Sequence, residues 1–283
     1  MRQDVIDLYD DFTHSRIDRR SFMERLTALT GSAAAALAVL KLLQPDPAAA
    51  AIVAADDSRI TTEIVTIEGG PKGYLARPKN APGALPGLVV VHENRGLNPY
   101  IEDLARRAAV EGFMALAPDF LTVVGGTPGD PDKARDMIGR LTAAQVVAEA
   151  RAAIGWLRAR SDVNGKVGII GFCWGGGMVG QVAIAEPKLD AAVVFYGPPP
   201  PLEAVPNIKA PLQLHYAGLD QRINANVPAF LKALDAAHVG YEYYMYEGVN
   251  HAFHNDTSAE RYAPDAAKLA WQRSIEFLRR KLG

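Results

Sequence analysis

Apolar and polar positions alternate along most of this chain in a way that predicts strands and helices in turn. From Ile60 onward, short β-branched runs are separated by longer stretches with helical spacing, and no internal repeat or long linker interrupts them. Strands that alternate with helices are typical of βαβ units. The pattern therefore predicts an α/β domain with a mostly parallel twisted sheet and helices on both faces.

The first two predicted strands form a hairpin instead. Residues 61–67 alternate with period two, Gly69-Gly70-Pro71 marks a turn, and residues 73–77 return. This arrangement predicts an antiparallel hairpin at the N-terminal edge of the sheet. The later strands are predicted by nearly continuous apolar runs, as expected of strands covered on both faces. These runs are residues 87–93, 113–117, 166–172, 191–196, 212–216 and 241–246.

Helical spacing fills most of the intervals between these strands. It predicts helices over residues 100–111, 175–185 and 264–282 and helical segments between residues 132 and 160. A loop rich in Gly and Pro spans residues 120–131. These elements assign residues 56–283 to one domain, and the 49% hydrophobic composition is sufficient for its core.

The first 55 residues have the order of a twin-arginine export signal. Arg19-Arg20 is followed by Phe22 and then by an apolar stretch from Leu26 to Leu43, and the small residues Ala48–Ala51 suit a signal peptidase. We therefore expect recognition by the twin-arginine export machinery, a periplasmic or secreted enzyme, and no stable membrane insertion after cleavage. The alternatives are a helical extension retained on a cytoplasmic enzyme and an uncleaved membrane anchor.

Charge and cysteine content exclude several classes of function. The net charge of -2 and the pI near 6.3 provide no broad cationic surface, which argues against a nucleic-acid partner. A single cysteine excludes an intrachain disulfide, a CxxC redox pair and a cysteine-rich zinc site. Cys173 is therefore either a buried apolar residue or a reactive group.

The residues around Cys173 favour the reactive role. Gly171-Phe-Cys-Trp-Gly175 has the form G-x-nucleophile-x-G between an apolar strand and a helix. So tight a turn strains the nucleophile's backbone and leaves no room for side chains two residues away on either side. It also places Cys173 at a helix N-terminus, which favours the thiolate, and aims the Trp174 N–H at a developing oxyanion. A structural cysteine beside a glycine-rich packing site is the alternative.

An acid and an imidazole follow later strands in the chain order that such a nucleophile requires. Asp220 comes just after the predicted strand 212–216, and His251 lies in the loop after the last strand. Because ligands and catalytic groups gather at the carboxyl ends of parallel strands, we expect Cys173, Asp220 and His251 to converge. His251 would take the thiol proton and Asp220 would orient the imidazole. His254 is the alternative base.

These residues resemble the dienelactone hydrolase family, or carboxymethylenebutenolidases, a branch of the α/β-hydrolases with cysteine in its triad. The resemblance covers roughly residue 60 to the C-terminus and rests on segments 92–96, 171–176, 218–220 and 248–253. It implies an α/β-hydrolase fold and hydrolysis of a small ester or lactone substrate through a thioester acyl-enzyme. No cofactor and no metal are implied.

The resemblance also implies roles for residues near the triad. In the family, a glutamate after the third strand tunes the nucleophile and the next residue donates the second N–H of the oxyanion hole. Those positions hold Glu93 and Asn94 here. Family members clamp a substrate carboxylate with arginines, but Asn255 replaces one of them. Arg95 is the candidate replacement, because a guanidinium binds a carboxylate in a planar fork.

Some features of the site remain open in the sequence. Tyr196, Phe253 and Trp174 are candidates for an apolar wall of the substrate site, with ordinary core packing as the alternative. The same triad would also serve on a thioester, a peptide bond or a phosphotriester. A ligand-binding protein on the same fold and a redox-sensing thiol are the non-catalytic alternatives. The oligomeric state is not indicated.

Overall fold

An eight-stranded sheet lies at the centre of the computed structural model, which describes residues 1–46 and 51–283. The strands are β1 Ile60–Thr66, β2 Lys72–Pro78, β3 Leu85–Val91, β4 Met114–Asp119, β5 Val163–Phe172, β6 Ala191–Phe195, β7 Leu212–Ala217 and β8 Tyr241–Tyr246. Their order in the sheet is β1-β2-β4-β3-β5-β6-β7-β8. β1 and β2 form the predicted antiparallel hairpin, β2 is antiparallel to β4, and the remaining neighbours are parallel. The predicted mostly parallel α/β architecture is confirmed.

Helices cover both faces of the sheet. They are α1 Gln3–Thr13, α2 Arg19–Thr30, α3 Ala33–Leu43, α4 Pro99–Val110, α5 Pro131–Ile138, α6 Ala143–Arg158, α7 Trp174–Ala185, α8 Gln221–Asn224, α9 Val227–Ala236 and α10 Pro264–Leu282. One face packs against α4 and α10 through residues such as Leu104 and Phe277. The other packs against α6, α7 and α9 through residues such as Ile154 and Val182. Burial on both faces explains the continuous apolar strands.

The register of the parallel strands brings their carboxyl ends to one edge. Val91 of β3 pairs with Gly171 of β5, and Phe172 pairs with Phe195 of β6. Ala217 at the end of β7 pairs with Tyr246 at the end of β8. The segments that follow these strands therefore emerge side by side, and they carry every residue predicted for the catalytic triad.

The N-terminal segment folds into three helices with a small core of their own. Tyr9, Phe12, Phe22, Leu26 and Leu43 are buried in this core. Asp18 caps the start of α2, and the left-handed conformation of Gly31 ends it, which suits glycine because it lacks a Cβ.

This helical unit packs onto the α/β domain through polar contacts. Asp10 forms an ion pair with Arg261 at 3.0 Å, and the Met1 amino group lies 3.2 Å from Glu260. Gln3 also donates a hydrogen bond of 2.6 Å to Asn250. The last turn of α1 thereby lies over the carboxyl edge of the sheet.

Export remains a prediction. Most of the small-residue run that suits a signal peptidase, Ala48–Ala50, lies outside the described residues. Within the described ranges no single helix is long and apolar enough to cross a bilayer, and α2 with α3, bent by 109°, meets that test only as a pair. Mass spectrometry of the N-terminus in a periplasmic extract tests cleavage, and an intact Met1 there would refute it.

A buried carboxyl in α6 makes stability depend on pH. Glu149 is buried, and burial together with Asp119 raises its pKa to about 7. Because the pKa rises on folding, stability is highest at low pH and falls as pH increases from the unfolded value of about 4.3 towards 7. We expect Glu149→Gln to stabilise the fold by about 1 kcal/mol at pH 8, after discounting for partial solvent access. The gain should disappear near pH 4.

Urea denaturation of both proteins at the two pH values measures this effect. Glu203→Gln is the matched control, because the Glu203 side chain is exposed. An equal change in both variants, or a gain at pH 4 as large as at pH 8, would contradict the assignment.

Candidate active site

Cys173 forms a strained turn between β5 and α7. Its φ angle is +57°, in the region that L residues rarely adopt, and its side chain is buried. A Cβ on Gly171 would lie 2.4 Å from the Gly175 carbonyl oxygen, and a Cβ on Gly175 would lie 2.4 Å from the His92 carbonyl oxygen. The two glycines are therefore required for close backbone approach, which is the reason inferred from the sequence.

Adding a methyl group at this turn should be costly. We expect Gly175→Ala to destabilise the protein by about 3 kcal/mol, because its Cβ meets backbone atoms that cannot move independently. Gly155→Ala in α6 is the matched control, since Gly155 is exposed and its Cβ would meet no atom within 4 Å. That change should stabilise the fold by about 0.5–1 kcal/mol. The denaturant midpoints of the two variants measure these opposite effects on stability. Similar midpoints would contradict the close backbone approach at Gly175.

His251 and Asp220 lie together as the chain order predicts. His251 Nδ1 donates to Asp220 Oδ2 at 2.5 Å, and both side chains are buried. Asp220 also accepts a hydrogen bond of 3.1 Å from the Ile223 amide. This arrangement leaves His251 Nε2 without a hydrogen-bond partner in the described part of the chain. The ring therefore has one anchored nitrogen and one available for chemistry.

Electrostatics shift both members of this pair. Burial alone would raise the pKa of Asp220, but His251 and Arg222 lower it below its ordinary value. Burial alone would lower the pKa of His251, but the Cys173 sulfur and the Asp220 carboxylate raise it. The protonated form of His251 is therefore favoured.

A second histidine, His14 at the end of α1, reaches the nucleophile. Its Nε2 atom lies 3.4 Å from Cys173 Sγ, and its ring lies edge-on to His251 with centroids 4.8 Å apart. His14 Nδ1 donates to the Asp10 carbonyl oxygen at 2.7 Å. The sequence motifs did not identify His14 as a site residue, because it stands 159 residues before Cys173 in a segment that resembles an export signal. The sequence contains no local signal for this contact.

Glu93 faces the nucleophile from the end of β3. It is buried, and one of its carboxylate oxygens accepts a hydrogen bond of 2.7 Å from the Asn255 amide. Its other oxygen has no hydrogen-bond partner among residues 1–46 and 51–283. Asn255, which stands where the family has an arginine, therefore holds Glu93 in place. The next residue, Asn94, donates its side-chain amide to the Thr13 carbonyl oxygen at 2.8 Å.

The remaining predicted site residues differ in how deeply they are buried. Arg95 is half-buried and donates a hydrogen bond to the Tyr9 hydroxyl at 2.7 Å. Tyr196 is buried with its ring edge-on to His251, at 4.9 Å between centroids. Phe253 is buried behind Tyr196, at 5.4 Å, and belongs to the apolar core. Trp174 opens α7, and its indole is stacked on His92 with centroids 5.2 Å apart.

The other histidines of the domain have structural partners. His254 is buried and contacts the Tyr100 hydroxyl at 2.8 Å, and burial lowers its pKa well below the ordinary value. His215 lies within β7 and contacts the Tyr246 hydroxyl at 2.9 Å, as expected of a sheet residue. Asp220 therefore contacts His251 rather than the alternative base His254.

One small cavity borders Cys173, and a larger cavity shares part of its lining. The smaller, about 20 Å³, is bounded by His14, Cys173, His251 and Glu93 and has room for a water-sized species. The larger, about 430 Å³, is lined by residues that include Tyr100, Arg106 and Asn255. Glu93, Arg95 and Pro45 line both cavities.

A mostly parallel sheet with a strained, glycine-flanked turn at Cys173 after β5, Asp220 after β7 and His251 after β8 has the arrangement of an α/β-hydrolase. Residues 72–282 match the family described as the dienelactone hydrolase family, and the chain belongs to it. It is therefore a hydrolase of the dienelactone hydrolase type, as the sequence motifs predicted. Residues 1–30 separately match a family described as YqhI-like.

Relatives agree with this assignment. A "Putative carboxymethylenebutenolidase" of Escherichia coli O157:H7 is 32% identical over 252 residues, which cover 82% of this chain and 92% of the relative. A Bradyrhizobium protein whose name describes a 2-oxo-3-(5-oxofuran-2-ylidene)propanoate lactonase is 32% identical over 224 residues, covering 73% and 88%. The crystal structure of a "Putative Dienelactone Hydrolase" from Klebsiella pneumoniae is 31% identical and has a TM-score of 0.70, with 77% and 97% covered.

Proposed function

We propose that this protein hydrolyses small carboxylic esters or lactones, with Cys173 as nucleophile, His251 as base and Asp220 as its orienting acid. The observation that carries the proposal is the contact of 2.5 Å between His251 and Asp220 beside the strained Cys173 turn. A base with one anchored nitrogen next to a cysteine at such a turn is the arrangement that activates thiols for acyl transfer.

The proposed reaction begins from a thiolate and an imidazolium. The raised pKa of His251 favours this pair, because the ring takes the thiol proton and Asp220 stabilises the resulting charge. Sγ attacks the carbonyl carbon, and the backbone N–H groups of Trp174 and Asn94 stabilise the oxyanion. His251 then protonates the leaving alkoxide, which leaves a thioester. Water deprotonated by His251 attacks the thioester, and the acid is released with the thiol regenerated.

Glu93 has a tuning role in this proposal. Its oxygen without a protein partner and the Cys173 thiol border the same cavity. A carboxylate there accepts the S–H hydrogen bond while Cys173 is a thiol and opposes a second buried anion, whereas His251 favours the thiolate from which the reaction begins. Asn255 keeps the carboxylate in this position through its hydrogen bond.

The cavity of about 430 Å³ is our proposed substrate site, because it adjoins the nucleophile through Glu93 and Arg95. Its volume suits a small molecule. The Arg95 guanidinium, bound to the Tyr9 hydroxyl, is available at the boundary to pair with a substrate carboxylate. A thiolate acts poorly on unactivated amides, which favours enol lactones and aryl esters over peptides. The similarity to a protein named as a lactonase supports the same class.

A substrate panel tests the proposed function. The wild-type protein is assayed with p-nitrophenyl acetate, an enol lactone, a peptide anilide and a phosphotriester under one set of conditions. We expect turnover of the ester and the lactone and at least 100-fold lower kcat/KM for the other two substrates. A thiolate acts poorly on the amide of the anilide, and a site arranged for planar acyl carbons does not fit the tetrahedral phosphorus of the phosphotriester. Preference for the anilide or phosphotriester would overturn the ester assignment. No turnover, together with stoichiometric thiol oxidation by mild peroxide, would favour a redox sensor.

A further inference from the structure

We propose that His14, Cys173 and His251 form a binding site for a soft divalent cation, with Zn²⁺ as the cation, and that its occupation switches off hydrolysis. The three donor atoms, two imidazole nitrogens and a sulfur, lie within 4.8 Å of one another around the cavity of about 20 Å³. Nitrogen and thiolate donors are those that Zn²⁺ prefers. The inhibitory part of this inference rests on the proposed function, whereas the binding part does not.

Both histidines present the correct nitrogen. A carbonyl oxygen only accepts hydrogen bonds, so the contact of 2.7 Å with Asp10 requires a proton on His14 Nδ1. An arginine only donates, so the contact of 3.2 Å from Arg222 to His14 Nε2 requires a lone pair there. His251 is held in the same way, with Nδ1 on the Asp220 carboxylate. Such hydrogen-bond acceptors behind the ring orient zinc-binding histidines in proteins.

The open side of the site also indicates a missing partner. His251 is 2% exposed, and its Nε2 atom has no hydrogen-bond partner in the described chain, although it borders the cavity. The distance of 3.4 Å from His14 Nε2 to Cys173 Sγ is close to that between two ligands of one tetrahedral ion with bonds of about 2.0 and 2.3 Å. A small inward movement of the His251 ring would complete three bonds, leaving a fourth position for water.

Local charge also favours a dication. Asp10 is paired with Arg261 at 3.0 Å, and Asp220 lies 3.8 Å from Arg222, so these four charges largely offset one another. The Glu93 carboxylate remains as an anionic group that lines the cavity, and in the metal-bound state the Cys173 thiolate would be a second.

A divalent cation would neutralise these two groups, and Arg95, which lines the same cavity and donates to the Tyr9 hydroxyl, is one opposing charge. Arg222 also opposes binding of a cation, because its guanidinium donates a hydrogen bond to His14 Nε2, the atom that would bind the metal. It is only partly buried, and it retains Asp220 as a partner when the cation displaces it.

Binding replaces a proton by the metal. The proton that leaves is the one carried by Cys173 Sγ or by His251 Nε2, and it goes to solvent as the cation takes the sulfur and nitrogen lone pairs. The nucleophile and the base are then both bound to the ion, so neither attack on a carbonyl nor proton transfer can occur. The chelated enzyme should regain its rate, because no covalent bond is broken.

The test uses the full chain, reduced and freed of metal with a chelator. Isothermal titration with Zn²⁺ should give one ion per chain, and Co²⁺ should produce a thiolate-to-cobalt charge-transfer absorption. Because Cys173 is the only cysteine, this absorption can arise from no other residue. Cys173→Ser should abolish the absorption, and Zn²⁺ should inhibit ester hydrolysis by the wild type until chelator is added.

Variants of His14 identify the contribution of the N-terminal unit. We expect His14→Ala and His14→Gln, which keeps more of the side-chain volume, to bind Zn²⁺ at least 10-fold more weakly than the wild type. The rate of ester hydrolysis by each variant, divided by its own rate with chelator, should be correspondingly less sensitive to Zn²⁺. His238→Ala is the control, because His238 is an exposed histidine. Circular dichroism melts confirm folding of each variant.

The outcomes separate the two proposals. Absence of stoichiometric binding, His14 variants that bind like wild type, or charge-transfer absorption that persists in Cys173→Ser would overturn the metal site. A cobalt spectrum of the expected kind in a protein that hydrolyses no ester would leave the metal site standing and remove the proposed function. Ester hydrolysis that Zn²⁺ does not affect would leave the proposed function standing and overturn the inhibitory part of the metal-site proposal.

Discussion

Cys173→Ala should lower kcat/KM for p-nitrophenyl acetate by at least about 10⁴-fold, because the remaining oxyanion donors and binding contacts cannot supply a nucleophile. Intact-protein mass spectrometry provides the direct measurement. The wild type should show an acetyl adduct during turnover, and the variant should show none. A folded variant is expected, since the substitution removes only a sulfur atom from a buried position.

Cys173→Ser is the informative control for this result. It keeps a nucleophilic atom at the strained turn, but serine lacks the acidity that lets His251 hold a stable ion pair. We expect a residual rate above that of Cys173→Ala and below that of the wild type. Undiminished release of p-nitrophenol by Cys173→Ala would exclude the thiol as nucleophile and redirect attention to a binding or redox role.

The second large effect is expected from Asp220→Asn, which should reduce kcat by about 10⁴-fold. The amide keeps the size of the carboxylate but can donate to His251 Nδ1, which would place the imidazole proton on Nε2, away from its productive position. The ring would then be unable to take the thiol proton. Steady-state kinetics should show the loss in kcat with a much smaller change in KM.

Asp235→Asn provides the matched control, because that carboxylate is exposed and accepts its hydrogen bond from Tyr241 rather than from a histidine. Its kcat should equal that of the wild type.

The pH dependence of stability provides a second measurement on Asp220→Asn. Since folding lowers the pKa of Asp220, its contribution is present above the unfolded value of about 3.9 and is lost as pH falls further. The stability difference between wild type and Asp220→Asn should therefore shrink below pH 3, and a constant difference would contradict the pairing.

Most of the fold follows from local patterns because each strand and helix buries one continuous set of apolar positions. The strand at residues 166–172 was predicted from its apolar run, and β5 occupies Val163–Phe172. The helix at residues 264–282 was predicted at the bounds where α10 lies. Helix α9, Val227–Ala236, was not predicted, although Asn226 followed by Pro228 in the first turn is a helix-start signal.

The site was predictable where chemistry depends on short-range spacing. Gly171 and Gly175 allow the close backbone approach on either side of the strained Cys173. Asp220 and His251 each follow the end of a strand. The role of Asn255 was not predictable. Its replacement of a family arginine predicted only the loss of a clamp, whereas the fold turns its amide towards Glu93.

The amino-acid sequence by itself determined the α/β architecture, the nucleophile elbow and the chain order of acid and base, because periodicity, glycine spacing and strand ends are local properties. Only the tertiary structure decided that α1 lies over the carboxyl edge of the sheet and brings His14 to 3.4 Å from Cys173 Sγ. That contact depends on the docking of a separate small core through pairs such as Asp10 with Arg261. Interactions between segments more than 150 residues apart leave no periodic trace in either segment, so they appear only when the chain is folded.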